Sequence, residues 1–428
     1  MLKAGFSRVD VTPPLGSYIS GYFEERFAEG VLDPIQLNAL AVSDGTVTDL
    51  IIISDFIGVD RKYCEIIRQK IVDRTGMDGK HIMLSALHQH TSICIGERDQ
   101  YTPNDYIYME TVYRKYCDVA QMALNDMSDA TLGFAIEETS EQIAFIRRYL
   151  MTDGTIIGHP FGRKDEIVRR IGDADNRVRL LRFMREGKND IAFVNFCTHP
   201  DVIGGKYFSA DWPGFVRRYV EQDLENVSCL LLNGVQGDSN HCDYLTERRH
   251  GYAHSAHMGR VIADTVERIW DRTEPQTDVT VKGGMDNVFL QTRTDGAERY
   301  EECKELLAAQ REGRLAKRPS GAELGGAGRI VRMRTAPLFQ QLPVTVMKLG
   351  RFCIVGFGGE PFTHYATAVQ EKFPELTVLT SCCCNGYEGY LPTPEIFAEG
   401  GYEASASPFP TNLENECVAM AEKLIRNL

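Results

Sequence analysis

The apolar positions of this chain gather into short runs that stop abruptly at chemically capable residues. Three segments repeat one pattern, an apolar run, a polar turn and a second apolar run, and each predicts a β-hairpin. The first runs from Leu37 to Val42, turns at Ser43-Asp44-Gly45-Thr46 and returns through Leu50 to Ser54, arriving at Asp55. The second uses Val178 to Phe183, turns at Arg185-Glu186-Gly187-Lys188-Asn189 and returns through Ile191 to Phe196, arriving at His199. The third pairs Val344 to Met347 with Phe352 to Gly356 across Leu349-Gly350-Arg351 and arrives at Glu360. This shared grammar is what an internal repeat leaves behind. Three further runs end in the same way: His81 to Leu87 leads to His88, Cys229 to Leu232 leads to Gly237-Asp238-Ser239, and Thr377 to Ser381 leads to Tyr387 and Tyr390.

Helical periodicity lies between the strands. A helix is predicted from Arg61 to Arg74 behind Asp60 as N-cap, and another from Ala253 to Trp270 with Met258, Ile262, Val266 and Ile269 on one stripe. A charged helix follows from Ala297 to Arg311, and the Gly/Pro-rich stretch from Pro319 to Gly328 reads as a mobile loop. Cys417, Ala421, Leu424, Ile425 and Leu428 recur at helical spacing and predict a last helix. The expected fold class is therefore mixed α/β (α+β), with sheets flanked by helices. Residues 1–428 read as a single catalytic domain with its chemistry at strand ends.

Charge narrows the partners. A formal net charge of -13 over 428 residues disfavours nucleic acid and anionic membrane surfaces, which would repel the chain, and leaves a small molecule as the expected substrate. The N-terminus has no apolar h-region and no run is long enough to span a bilayer, so neither export nor stable membrane insertion is expected. A cytoplasmic location follows. The 12 cysteines are expected to be reduced in that compartment, and Cys382-Cys383-Cys384 to be buried small hydrophobes, since neighbouring strand residues face opposite ways.

The candidate chemistry starts from Ser85-Ala86-Leu87-His88-Gln89-His90, where two histidines two apart follow a strand and project from one face. Alone, His-x-His is more often a pair of ordinary hydrogen-bonded histidines. His199 before Pro200 and Glu360 before Pro361 also sit where strands deliver side chains to an edge. Together they supply the imidazole and carboxylate donors of a Zn2+ site with a position left for water or substrate.

Eight short motifs then carry a family resemblance: Ala4-Gly5 through Asp10-Val11-Thr12-Pro13-Pro14, Gly21-Tyr22, His88-Gln89-His90-Thr91-Ser92, Thr198-His199-Pro200, Ala210-Asp211-Trp212-Pro213-Gly214, Gly237-Asp238, Gly359-Glu360-Pro361 and Gly401-Tyr402-Glu403-Ala404. In this order the chain resembles the catalytic domain of the neutral/alkaline non-lysosomal ceramidases, over nearly its whole length. The resemblance implies a zinc ion held by His88, His199, Glu360 and the Tyr390 of Gly389-Tyr390-Leu391. It further implies that Tyr402 and an arginine stand beside the scissile amide. The arginine falls on Phe145-Ile146-Arg147-Arg148, with Arg147 favoured over Arg148 although the family's preceding asparagine is missing. His90 is the natural second-sphere base or orienter, because it leaves the same strand end as His88.

Two departures bear on mechanism and substrate. Where the family has Gly-Asp-Val-Ser-Pro-Asn, with a serine implicated in amide cleavage, this chain has Gly237-Asp238-Ser239-Asn240-His241; the resemblance makes Ser239 a candidate catalytic residue, although a serine one residue early would turn to the opposite side of an extended chain. The family's C-terminal immunoglobulin-like domain has no counterpart here, and a membrane lipid suits this acidic chain poorly. Three functions are consistent with these residues. The first is a zinc hydrolase that cleaves an N-acyl amide bond with metal-activated water. The second is the same chemistry on a small polar ester, lactone or sugar derivative. The third is a metal-binding protein without catalysis, which would leave Arg147, His90 and Tyr402 superfluous.

Overall fold

The computed structural model describes residues 1–428 apart from 161, 247–248 and 277–278. Strand β1 (Lys3–Asp10) precedes the first of three units built alike. In that unit β2 (Gln36–Ser43) and β3 (Thr48–Ser54) form an antiparallel hairpin, α1 (Arg61–Thr75) crosses over, and β4 (Ile82–Ala86) lies parallel to β3. Helix α2 (Pro103–Asn125) and strand β5 (Ser128–Glu138) lead to the second unit. It repeats the order as β6 (Arg177–Arg185), β7 (Asp190–Phe196), α3 (Asp211–Asp223) and β8 (Val227–Asn233), with β8 parallel to β7. After α4 (Tyr252–Trp270), β9 (Val281–Gln291), α5 (Tyr300–Arg311) and α6 (Gly321–Met333) comes the third. It consists of β10 (Phe339–Leu349), β11 (Phe352–Phe357), α7 (Thr363–Lys372) and β12 (Thr377–Ser381), with β12 parallel to β11. Helices α8 (Pro394–Glu399), α9 (Tyr402–Ala406) and α10 (Leu413–Asn427) complete the described chain.

The three hairpins expected from the sequence thus form, and each continues through a helix into a parallel third strand. Units one and two share a long sheet of order β8-β7-β6-β5-β1-β2-β3-β4, and unit three lies in a second sheet of order β9-β10-β11-β12. The third strands β4, β8 and β12 stand at sheet edges, and these edges meet. Asn233 donates its side-chain N–H to Leu87 O at 3.0 Å, Cys382 N donates to Asn233 O at 3.1 Å, and the Ser85 and Ser381 hydroxyls lie 2.8 Å apart. A buried polar junction therefore joins the units where backbone ladders stop, and it satisfies groups that would be costly to bury alone.

Burial on both faces explains the unbroken apolar runs. On β3, Leu50 and Ile52 pack with Ile67 and Ile71 of α1 and with Val112 and Tyr116 of α2, while Ile51 and Ile53 face the core shared with β7 and β8. The predicted stripe of α4 is buried in that second core with Trp212 and Val216 of α3. The third core sets Val344, Val346 and Val355 against Tyr365 of α7 and Cys417, Ala421 and Ile425 of α10. All twelve cysteines are buried, and none forms a disulfide among the described residues. No helix among the described residues is long and apolar enough to cross a membrane.

Two expectations are corrected. The stretch from Pro319 to Gly328 is not a loop: helix α6 occupies it from Gly321 onward. Ser320 and Glu323 form a capping box that satisfies the first free N–H groups, and packing on α9 offsets the low helix propensity of the glycines. Asp60 does not cap α1 through its side chain, because its carboxylate accepts two hydrogen bonds from Arg98, at 2.8 and 3.0 Å.

Asp55, at the end of β3, accepts two hydrogen bonds from Arg217 of α3, at 2.9 and 2.7 Å, and so ties unit one to unit two. Both side chains are buried. Asp55→Ala strands a buried guanidinium and is expected to lower unfolding stability by about 3–5 kcal/mol, read from the urea midpoint. A loss under about 1 kcal/mol would show that water reaches the pair and that it does not hold the units together.

Candidate metal centre

Each unit delivers donors from its strand ends to one interior volume. His88 lies just beyond β4 in the left-handed region, with φ of 69°, held by its N–H to Phe56 O at 3.1 Å and by its Nδ1 to Ile57 O at 2.8 Å. His199 lies beyond β7 with its Nδ1 2.7 Å from Gln236 O and 3.1 Å from Ser239 O. A carbonyl can only accept, so both Nδ1 atoms carry the proton and both Nε2 atoms present lone pairs. Glu360, beyond β11, places Oε2 at 3.2 Å from each of these Nε2 atoms. Tyr390 is brought beside it by a short parallel pairing of Glu360 with Tyr390, and its ring stacks near His199 at 6.5 Å.

Three acceptor atoms packed at this spacing repel one another unless a cation lies among them. His199 Nε2 and Glu360 Oε2 have no hydrogen-bond partner although both residues are buried. The 3.2 Å separations also match the edge, about 3.3 Å, of a tetrahedron with metal–ligand bonds of about 2.0 Å. Electrostatics point the same way. Burial, followed by the Arg147 charge, lowers the pKa of His199 to about 3, so it stays neutral and free to ligate. For Tyr390 they oppose ligation: burial and the neighbouring Glu360 raise the phenol pKa, so Tyr390 would ligate as a phenolate only by giving up its proton to the cation.

His90 enters the same volume. Its Nε2 is 3.3 Å from His88 Nε2, and His88, His90 and His199 together form a cluster of imidazole nitrogens able to hold an ion. Its other face differs from those of the two anchored histidines: Nδ1 lies 3.7 Å from the Asp201 carboxylate, which also accepts the Tyr22 hydroxyl. Arg26 stacks on the Tyr22 ring at 3.9 Å and donates to His90 O at 2.8 Å. Gly21 is required at this corner, because its φ is +109° and a Cβ there would meet His90 Nδ1 at 2.8 Å.

The two arginines separate cleanly. Arg147 is buried, donates to Gly237 O at 2.8 Å and to Tyr390 OH at 3.1 Å, and sets Nε 3.1 Å from Glu403 Oε1. Arg148 instead pairs with Glu399 away from the cluster. Tyr402 meets Tyr390 edge-on at 5.3 Å. Ser239 sits beside His199 through its carbonyl only. Its hydroxyl turns to Thr198 Oγ1 at 3.2 Å and to Cys197 O at 3.5 Å, and the residue lines a different cavity of about 1170 Å³ with Thr363 and Thr380. The sequence reading had no place for Asp201, Glu403 or Tyr387. Asp201 follows His199-Pro200 directly and Glu403 follows Tyr402, so adjacency was the only available signal. Tyr387 is a strand-end residue in the sequence, and its ring lies 5.3 Å from that of His88.

Fold and site together define a mixed α/β protein with three repeating units around a buried imidazole–carboxylate cluster, the architecture of the neutral ceramidases. One solved structure that shares it is the neutral ceramidase from Pseudomonas aeruginosa, with a TM-score of 0.73 and 14% identity over 99% of this chain and 75% of that one. Another is a ceramidase complexed with C2, with a TM-score of 0.70 and 13% identity over 99% of this chain and 76% of that one. No protein-family profile and no curated protein matches the sequence. At such identities the likeness establishes the fold.

Protein purified without chelator is expected to retain about one equivalent of a transition metal by elemental analysis. His88→Ala and Glu360→Ala should lose it, whereas His90→Ala should keep it. Full metal in His88→Ala together with loss in His90→Ala would transfer the ligand role to the other histidine of the pair.

Proposed function

We propose that this protein is a zinc-dependent hydrolase that cleaves an N-acyl amide bond, with His88, His199, Glu360 and Tyr390 as the zinc ligands and residues 1–428 as one catalytic unit. The observation that carries this reading is the approach of two lone-pair-bearing imidazole nitrogens to 3.2 Å from one carboxylate oxygen in a buried site. Mixed imidazole, carboxylate and phenolate donors suit zinc better than calcium or magnesium, which prefer all-oxygen shells. The two fold neighbours are ceramidases by name, which supports amide hydrolysis as the reaction class.

When bound, the ion supplies Lewis acidity and lowers the pKa of water in the site. The remaining work belongs to side chains. Burial, and then the proximity of His88, lowers the His90 pKa well below its usual value, so the ring is neutral and able to accept a proton. Its Nε2 faces the cluster and its Nδ1 faces Asp201, which steadies the imidazolium formed when Nε2 takes a proton from attacking water. The same nitrogen then returns the proton to the departing amine. Arg147, fixed by Glu403 and Gly237 O, and the Tyr402 hydroxyl stabilise the negative charge that develops on the carbonyl oxygen. No covalent intermediate on Ser239 is needed.

A second reading, hydrolysis of a small polar ester, lactone or sugar derivative, is favoured by the charged surroundings of the cluster. Arg147, Glu403, Asp201 and Arg26 suit a polar molecule better than a long-chain membrane lipid.

Turnover should be screened on N-acyl amides, esters and lactones. With any substrate found, Tyr402→Phe is expected to lose roughly two to three decades in kcat, as for removal of one oxyanion donor. Ser239→Ala should stay within about tenfold of the native protein, because its hydroxyl faces another cavity. Abolished turnover in Ser239→Ala with metal intact, and an acyl adduct on Ser239 by mass spectrometry, would sink the water mechanism.

A further inference from the structure

Tyr402 stands at the first position of α9, a helix of only five residues. So short a helix does not hold its own conformation in water, and its place must come from its neighbours. On the side of the centre, Tyr390 meets the Tyr402 ring edge-on at 5.3 Å, and Glu403 sets Oε1 3.1 Å from Arg147 Nε. Phe23 meets the same ring edge-on at 5.9 Å. The remaining support comes from residues 293–329. Arg293 donates to Ala404 O at 2.6 Å and to Ser407 O at 3.1 Å, and the buried Arg329 of α6 donates to Ser405 O at 3.0 Å. Asp295 accepts hydrogen bonds from both arginines at 3.0 Å. These guanidinium groups satisfy carbonyls at the end of α9 that a single helical turn leaves without partners.

Against the tyrosine ring itself α6 presents glycine. A Cβ at Gly325 would stand 2.8 Å from both Cδ2 and Cε2 of Tyr402 and 3.1 Å from Ala406 Cβ, and one at Gly321, a turn earlier, would stand 3.7 Å from the ring. A Cβ at Gly328 would meet nothing within 4 Å. Gly325 lies in the interior of α6, where glycine weakens a helix, and the ring that fills the place of its side chain accounts for it. The hairpin of α5 and α6 also has a small core of its own, in which Cys303, Ala327 and Ile330 pack with Tyr300, Leu306 and Leu307. Helix α6 is therefore braced from behind by α5 while its glycine face holds the ring.

We propose that Gly325 is a positioning residue: by leaving room for the Tyr402 ring it sets where the Tyr402 hydroxyl meets the carbonyl oxygen of the substrate. The proposal rests on the hydrolase reading and extends it to a residue that touches neither substrate nor metal. Carbon atoms in ordinary contact stand about 3.5–4.0 Å apart, so a methyl group at Gly325 must drive the ring away by about 1 Å. Helix α6 cannot simply retreat, because Arg329 ties it to Ser405 O, and α9 cannot slide, because Glu403 is held to Arg147. The ring is left to yield. A displacement of that size costs on the order of a hundredfold in rate when it falls on a group that must meet the transition state.

The test combines fluorine NMR of the full-length protein labelled with 3-fluorotyrosine and turnover of the zinc-loaded protein on any N-acyl amide, ester or lactone that it cleaves. The Tyr402 resonance is the one missing from Tyr402→Phe. Gly325→Ala is expected to move that resonance by more than its linewidth and to lower kcat about tenfold to a hundredfold, with KM little changed and metal content retained. Gly328→Ala adds the same methyl group to the same helix where it touches nothing, and should leave both resonance and turnover as they are. In the Tyr402→Phe background Gly325→Ala should cost far less than in the native protein, because the hydroxyl that it misplaces is already gone. Gly321→Val presses on the same ring from one turn earlier and carries the test should Gly325→Ala not fold. An unmoved Tyr402 resonance in Gly325→Ala, an equal shift in Gly328→Ala, a shift without loss of kcat, or a full further loss in Tyr402→Phe overturns the proposal. A shift specific to Gly325→Ala in a protein that cleaves no substrate would refute the hydrolase reading and leave Gly325 as the seat of Tyr402.

Discussion

The structure is organised around a local repulsion. His88 Nε2, His199 Nε2 and Glu360 Oε2 all carry lone pairs, and the fold sets both nitrogens 3.2 Å from the carboxylate oxygen in its interior. Such an arrangement is unfavourable without a positive charge at its centre, and burial keeps His199 from supplying that charge by protonation. The surroundings maintain the arrangement. Carbonyls of Ile57 and Gln236 hold the two Nδ1 protons and thereby fix both ring orientations. The backbone of His88 accepts a left-handed conformation, at roughly 1 kcal/mol or more for a non-glycine residue, to aim its ring inward.

The threefold repetition explains how three distant segments reach one volume. Each unit ends its hairpin and its third strand at the same end of the molecule, and the junction of Ser85, Asn233 and Ser381 holds those ends together. Equivalent positions have then diverged. Unit two offers His199 after its second strand and unit three offers Glu360, but unit one offers Asp55, whose charge is consumed by Arg217. That unit gives its donor one strand later, as His88, with His90 beside it. Repetition thus supplies several strand ends at one pole, and local chemistry decides which of them become donors and which become ties between units.

Much of this was legible in the sequence, for a physical reason. Hairpins are local, so runs and turns identify them, and a strand that ends in His or Glu announces where that side chain emerges. His88, His199, Glu360 and Tyr390, the ligands proposed above, are readable as strand-end residues supported by a resemblance, and the structure brings them together. What was not legible depends on pairing across the chain. Asp201 meets His90 and Tyr22, and Glu403 meets Arg147, through contacts with no sequence period. Helix α6 is hidden because its glycines speak against a helix when read alone, and contact with the Tyr402 ring accounts for Gly321 and Gly325. For Ser239, the one-residue shift pointed to a turned side chain, and its hydroxyl does bond away from the cluster.

Charge connects the site to its surroundings. The chain as a whole is acidic, at -13, and repels anions at long range, so an anionic substrate would gain nothing from steering. Selection must then occur at short range, around the buried cluster, where low dielectric makes each charge count for more. Phe23 lies edge-on to Tyr402, at 5.9 Å, and adds an aromatic surface on that side. The buried Arg147 and Glu403 stand beside the same tyrosines, so a molecule that enters must replace its lost water with partners for these charges.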